Sequence, residues 1–215
     1  MWGFLSSDSK LGSVILKLVN LFLLSVLWLA LCCTVVCAGP ATAALYYVVV
    51  KCLRRGRGSL PHEYFSCFQL NFRCTWVYGA LTIISWLYLL IFDLPQLASS
   101  FMDGAHILWI LAFIVKLFLL VGITLYCFPL ISRFELTGIA AIVQSIHLAV
   151  THFGHTVLLT VILFISLFLI KLVPGLIMII PSIFSYISSF FLEPIFKAMV
   201  PQKVNFSQDD AWYLE

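Results

Sequence analysis

Charged residues are scarce in this chain. Only 10% of its 215 residues are Asp, Glu, Lys or Arg, whereas 63% are hydrophobic, and the mean hydropathy is +1.11. A soluble domain is nearer half apolar and about a quarter charged, and a chain of this size has too little interior to hide so many apolar side chains. The composition disfavours a soluble enzyme, a nucleic-acid binder and a disordered chain. It predicts an integral membrane protein.

The sequence also lacks the short motifs of common catalytic and cofactor sites. It has no CxxC pair, no GxGxxG or GxxxxGK[ST] phosphate loop and no GxSxG elbow. Its seven cysteines are an odd number without paired spacing, unlike a secreted disulfide framework. His152 and His155 are three residues apart, but a third ligand would have to come from another segment. We therefore expect no catalytic residues, no metal site and no cofactor.

Long apolar runs, by contrast, are frequent. Five of them approach the roughly 20 residues that a helix needs to cross a bilayer: residues 15–38, 76–92, 106–128, 155–172 and 175–192. Asp93 and Pro95 end the second run, and Pro181 is expected to kink the last helix. The predicted fold is all-α, a polytopic transmembrane helix bundle of about five spans that forms one domain over residues 1–215.

Shorter segments predict amphipathic or interfacial helices, at residues 41–53, 60–74 and 137–154. The first has only thirteen positions, which suits a buried or interfacial half-helix, although a sixth span is the alternative. In the third, Ile139 and Val143 share an apolar stripe opposite Gln144 and His147, as in a helix that lies against the membrane or the bundle. Residues 202–215 are predicted to form a polar tail.

Basic residues accumulate on one side of a five-span topology. That side carries Lys51, Arg54, Arg55, Arg57, Arg73, Arg133, Lys197 and Lys203. The positive-inside rule makes it cytoplasmic, which places the N-terminus outside and the C-terminus inside. Were residues 41–53 a sixth span, the N-terminus would move inside. The densest basic group is predicted to be a topology anchor against anionic lipid, and it consists of Lys51, Arg54, Arg55 and Arg57.

Lys116 is an unusual charge within an apolar run. It lies ten residues into the third run, which corresponds to a depth of about 15 Å. A charge at that depth costs at least about 2.5–3.5 kcal/mol, so we expect it to face the bundle interior or a wet cavity. Ser25 and Ser85 fall at similar depth and are expected to line the same cavity, whereas no acidic residue is expected there. These three residues form a candidate intramembrane polar site. The alternative is a lysine capped by hydroxyls and carbonyls for packing.

Small residues recur on one face of the last run. Ser182, Ser185 and Ser189 are spaced i, i+3 and i+7, and small side chains allow another helix to approach closely. They form a candidate helix-contact face. Its partner is either another helix of this chain or a separate subunit.

Four motifs, in order, resemble the YesL-like family, also called DUF624. They are Leu27 to Cys33 leading into Gly39-Pro-Ala-Thr-Ala-Ala-Leu-Tyr-Tyr47, then Phe65-x-x-Phe-x-x-Asn-Phe-Arg73, then Tyr126 to Glu135, and finally Ser185 to Lys197. The resemblance extends over about residues 11–198. This chain departs from the family pattern at Thr34 and Cys37, where relatives have proline and threonine.

The resemblance implies a small multi-span protein of the bacterial cytoplasmic membrane. Such proteins are typically encoded beside carbohydrate ABC transporters, which suggests the permease subunits of a sugar transporter as partners, together with the lipid bilayer. No reaction is established for the family. Our leading hypothesis is therefore a non-catalytic accessory or scaffold protein of carbohydrate uptake. The second is a small stand-alone transporter or channel that binds an anionic or hydroxyl-rich solute near Lys116.

Overall fold

The computed structural model describes residues 10–97, 107–134 and 138–199. All the regular secondary structure in these ranges is helical, which confirms the all-α prediction. The α-helices are α1 (Lys10–Cys32), α2 (Ala38–Val48), α3 (Leu60–Tyr88), α4 (Ile107–Arg133), α5 (Gly138–Thr151), α6 (Phe153–Leu172) and α7 (Ile180–Met199). The predicted tail at 202–215 and Lys203 lie outside the described residues.

Within the described ranges, four helices are long and apolar enough to cross a membrane. They cover Val14–Cys32, Leu60–Leu97, Trp109–Arg133 and Phe153–Leu172. These helices confirm a membrane-embedded bundle and correspond to four of the five predicted spans.

The fifth predicted span, 175–192, differs from the structure. Pro174–Met178 form a 3-10 helix, and α7 starts only at Ile180 and runs on to Met199, with Glu193 and Lys197 in its second half. Pro181 therefore sits in the first turn of α7, where proline is tolerated, and it does not kink the helix as predicted.

The α3 helix joins two segments that the sequence separates. Residues 60–74 and 76–92 form one helix, which continues through a π-helical turn at Leu89–Asp93 to Leu97. Polar side chains within it bond to the helix itself, since Thr75 donates to the carbonyl of Asn71 at 2.6 Å. Asp93 consequently lies inside a helix and does not end one.

The α2 helix lies at the centre of the bundle. With the π-helical turn Val49–Arg54 it makes a helical segment of 17 residues, and most of its side chains are buried. It is antiparallel to α1, because Trp28 Nε1 donates to Thr42 Oγ1 at 3.2 Å and Leu24 shares a buried cluster with Leu45. A segment this short spans a bilayer only at the lower limit of length, about 17 residues, and α2 meets neighbouring helices on most sides.

The α2 and α3 helices form a second antiparallel pair. Lys51 and Glu63 meet beside their connecting turn, 2.7 Å apart, and Gly39 packs on Gly79 toward the other end. The start of α1 and the turn at 55–59 consequently lie at the same end of the bundle. Arg54, at that end of the bundle, donates to the carbonyl of Ser189, so the second half of α7 lies there too. The side of the membrane on which each end lies stays a prediction.

The α5 helix turns its small residues inward. Ala141, Ser145 and Ala149 are buried, whereas Ile139 is 73% exposed and Val143 is 62% exposed. Ala149 lies so close to Gly122 of α4 that a Cβ at Gly122 would be 2.8 Å from the Ala149 methyl. The apolar stripe predicted in 137–154 thus faces away from the bundle, as expected for a helix in contact with lipid.

Candidate functional site

Lys116 lies on the outer surface of the bundle. Its side chain is 50% exposed, and its Nζ lies 3.0 Å from Oδ1 of Asp93, which is 11% exposed. Nζ is also 5.9 Å from the centroid of the Tyr88 ring. The prediction that Lys116 has no acidic partner is wrong. Of the two surroundings predicted for it, the bundle interior and a wet cavity, the structure shows a small surface pocket that Lys116 lines with Asp93 and Gln96. The ion pair forms because α3 continues past Asp93 to Leu97 and so carries the carboxylate alongside α4.

The two serines predicted to accompany Lys116 lie elsewhere. The hydroxyl of Ser25 is buried and bonds to Ser182 Oγ at 2.7 Å. Ser85 is exposed and donates to the carbonyl of Leu81 in its own helix at 2.8 Å. The three residues share no cavity, because similar depth in the sequence does not determine which face of a helix a residue occupies.

The serine face of α7 packs within the chain. Ser182, Ser185 and Ser189 are all buried. Ser182 meets Ser25 of α1, and the carbonyl of Ser189 accepts a hydrogen bond from Arg54 Nη1 at 2.8 Å. Of the two partners left open by the sequence, helices of the same chain occupy this face.

The predicted topology anchor is largely part of the packing. Lys51 pairs with Glu63. Arg54 lies over the ring of Phe190, 4.6 Å from its centroid, in addition to its bond to α7. Arg55 is 3.5 Å from Oε2 of Glu193. Of the four basic residues, Arg57 alone is exposed, and the role of this group as a topology anchor stays a prediction.

Glu193 is the centre of a buried charge cluster that the sequence analysis missed. Its side chain is 2% exposed and that of Arg133 is 4% exposed. Arg133 Nε donates to Oε1 at 3.1 Å and its Nη2 contacts Oε2. The hydroxyl of Tyr46 donates to Oε1 at 3.1 Å, and Arg55 approaches Oε2. We call Tyr46, Arg55, Arg133 and Glu193 the carboxylate cluster.

The carboxylate cluster joins segments that are far apart in sequence. Tyr46 belongs to α2, Arg133 ends α4 and Glu193 belongs to α7. A buried carboxylate is tolerated only when cations and hydrogen-bond donors surround it. The available signal was Glu193 itself, a single acid within the apolar part of the last helix, but its partners could be identified only from tertiary contacts.

An intramembrane cavity of about 310 Å³ lies between α1, α2, α4, α6 and α7. Its lining is mainly apolar and includes Trp28, Leu45, Leu125, Phe128, Leu163 and Phe184. Four of the hydroxyls in the lining bond to carbonyls of their own helices, namely those of Thr42, Thr124, Ser166 and Ser188. Tyr46, which also lines the cavity, connects it to the carboxylate cluster.

Over the described ranges, no three His, Cys, Asp or Glu side chains come together in a way that could hold a metal ion. Within the carboxylate cluster, Glu193 forms ion pairs with Arg55 and Arg133. Lys116 forms a separate ion pair with Asp93.

A family model described as "Protein of unknown function, DUF624" matches residues 21–94. The matched segment begins inside α1 and extends to the end of the π-helical turn of α3, so it contains the first two of the four motifs. The motifs around 126–135 and 185–197 lie outside the match. No curated protein and no solved structure matches the chain.

Proposed function

We propose that this chain, whose residues 21–94 match the DUF624 family model, is a non-catalytic accessory protein that docks onto another membrane protein. The observation that carries the proposal is the ion pair between Lys116 and Asp93 on the outer surface of the bundle. The outer faces of α3 and α4 around this pair would form the docking surface.

The surroundings of the ion pair are apolar and exposed. Tyr88 is 54% exposed, Phe92 59%, Trp109 48% and Ile114 54%. Such a surface suits lipid, but a charged lysine whose side chain is half exposed does not, because charges in hydrocarbon are costly. A partner helix with polar side chains would cover the ammonium and hydrogen-bond to it, which is a common basis of helix association in membranes.

The same geometry weakens the second hypothesis, a stand-alone carrier. That hypothesis needs Lys116 to bind a solute near the membrane midplane inside the bundle, whereas Lys116 lies outside the bundle and the internal cavity is mainly apolar. The identity of the partner rests on the family resemblance alone. It favours the permease subunits of a carbohydrate ABC transporter in a bacterial cytoplasmic membrane.

The proposal is tested by gentle extraction of the tagged protein from its own membrane and native mass spectrometry. We expect permease subunits at fixed stoichiometry with the wild type. We expect Lys116→Met and Asp93→Asn each to reduce the recovered partner about threefold to twentyfold, since a polar contact between membrane helices contributes roughly 0.6–1.7 kcal/mol. Lys171→Met is the matched control, because Lys171 is an exposed lysine in the last turn of α6.

Two results would contradict the proposal. One is a wild-type protein recovered only as a monomer or a homo-oligomer. The other is undiminished partner recovery with Lys116→Met, in a variant that elutes from size exclusion like the wild type.

A further inference from the structure

The cavity between α1, α2, α4, α6 and α7 is limited in length and in volume. Along α7 it reaches from Ile180 to Ser188, which is about 12 Å at 1.5 Å per residue. Its volume is about 310 Å³, which is at the lower end of the range for ligand pockets. A ligand larger than a short segment of hydrocarbon chain would not fit completely inside it.

The chemistry of the lining points the same way. Hydroxyls in the lining are already bonded within the protein: Thr42 donates to Ala38 at 2.7 Å, Ser166 to Ile162 at 2.8 Å and Ser188 to Ser185 at 2.9 Å. A hydroxyl-rich ligand would lose its hydrogen bonds to water and find few donors to replace them, which is costly. A hydrocarbon chain loses nothing of this kind.

The cavity reaches the lipid-facing surface. Leu167 of α6 both lines it and is 52% exposed, and Phe184 of α7 is half-buried. The α6 helix is otherwise one of the most outward-facing of the bundle, with Phe164 46% exposed and Phe168 66% exposed. The space beneath α6 is therefore continuous with the region in which the acyl chains of the bilayer lie.

We infer that this cavity is a binding site for one acyl chain of a membrane phospholipid, inserted beneath α6 and ending against Tyr46, Ser185 and Ser188. The inference is independent of the proposed docking function. That function rests on Asp93, near the C-terminal end of α3, and on Lys116, in the N-terminal half of α4. The acyl chain supplies the apolar packing that α6 does not receive from its neighbours.

Photolabelling of the full-length protein tests this site. The protein is reconstituted in vesicles of phosphatidylcholine that carries a diazirine on one acyl chain, irradiated, digested and mapped by mass spectrometry. We expect labels on the cavity-facing residues Leu163, Ile170 and Phe184 in addition to labels on the outward-facing Phe168. Labels confined to outward-facing residues would overturn the inference.

A filled cavity provides the specific test. Ser166→Phe places a ring inside the space, and we expect it to reduce labelling of Phe184 at least fivefold, while labelling of Phe168 stays constant as an internal standard. Ile165→Phe is the matched control, because Ile165 is the neighbouring residue, is 54% exposed and does not line the cavity. It should leave the labelling of Phe184 unchanged.

A second filling variant and a second photolabelled probe complete the experiment. Thr124→Phe fills the same cavity from α4, and it replaces Ser166→Phe if that variant does not elute as a single species. A free fatty acid with the same diazirine, added to unlabelled vesicles, distinguishes the source of the chain. Labelling of Phe184 by the fatty acid but not by the phospholipid would overturn the assignment to a phospholipid, as would equal labelling in wild type and both filled variants.

Discussion

At the scale of single residues, Glu193 has the largest structural role of the charged groups described. It accepts hydrogen bonds from Tyr46 and Arg133 and pairs with Arg55, so one carboxylate connects α2, α4 and α7. Its side chain is almost fully enclosed, at 2% exposure. The ion pair between Lys51 and Glu63 is chemically similar to the pair between Arg133 and Glu193, but the side chains of Lys51 and Glu63 are 19% and 18% exposed. The two acids therefore allow a controlled comparison of burial.

We predict that Glu193→Gln destabilises the protein strongly, because it leaves the guanidinium of Arg133 without a buried counter-charge. The expected loss is about 3–5 kcal/mol, typical of breaking a buried ion pair from one side. Glu63→Gln should cost at most about 1 kcal/mol, as for a partly solvated pair. Thermal unfolding in mild detergent, followed by size exclusion, measures both. Equal losses in the two variants would contradict the role assigned to the carboxylate cluster.

At the scale of elements, α2 and α3 touch through their backbones. A Cβ on Gly39 would lie 2.5 Å from the carbonyl oxygen of Thr75 and 2.9 Å from Cα of Gly79. Both obstructing atoms belong to the backbone, so no side-chain rotation relieves the contact. The pair of glycines thereby sets the distance between the two helices, as small residues do in other membrane bundles.

We expect Gly39→Ala to force α2 and α3 apart and to lower stability by about 1–3 kcal/mol, the usual cost of overpacking. Gly154→Ala is the matched control, because a Cβ there has no neighbour within 4 Å and alanine favours the helix. The unfolding midpoints of the two variants should move in opposite directions. A neutral Gly39→Ala would show that the two helices are free to separate at this point.

The helices themselves were predictable from the sequence, whereas their faces were not. Apolar runs identified α1, α4 and α6, because a membrane helix must be apolar along its whole length. The same uniformity removes the contrast that normally distinguishes inside from outside. In α5 the large residue Ile139 faces outward and the small residue Ala141 faces inward, the reverse of a soluble helix.

The candidate site was predicted less well for the same reason. Lys116 was correctly identified as an unusual charge, but its partner Asp93 was assigned to a helix end, because Pro95 follows it and proline usually terminates helices. The π-helical turn at Leu89–Asp93 lets α3 continue, which no local pattern indicated. Glu193 could be matched with Arg133 only through tertiary packing.

At the scale of the whole molecule, the passage of α2 places the connection between α1 and α2 at the opposite end from the turn at 55–59. The basic residues Arg54, Arg55 and Arg57 cluster around that turn, so the positive-inside rule predicts that it is cytoplasmic. By the same argument, we predict that the start of α1 and the end of α7 are both cytoplasmic.

Cysteine labelling measures this topology. Cys33, exposed in the α1–α2 connection, is kept as the only cysteine, and a second protein carries Arg57→Cys alone. We expect a membrane-impermeant maleimide to label Cys33 in intact cells and to label position 57 only after the membrane is opened. Labelling of both positions from the same side would contradict the antiparallel pairing of α1 and α2.

The carboxylate cluster also constrains the order in which the chain is assembled. Arg55 is synthesised early, but Glu193, the acid beside it, belongs to the last helix. Until α7 has been synthesised, the Arg55 guanidinium has no access to that carboxylate, and α2 lacks one of the helices that pack against it. The native packing of α2 is therefore expected to form only after α7 has been inserted. In a nascent chain truncated before Glu193, Arg55 should remain in contact with water or lipid headgroups.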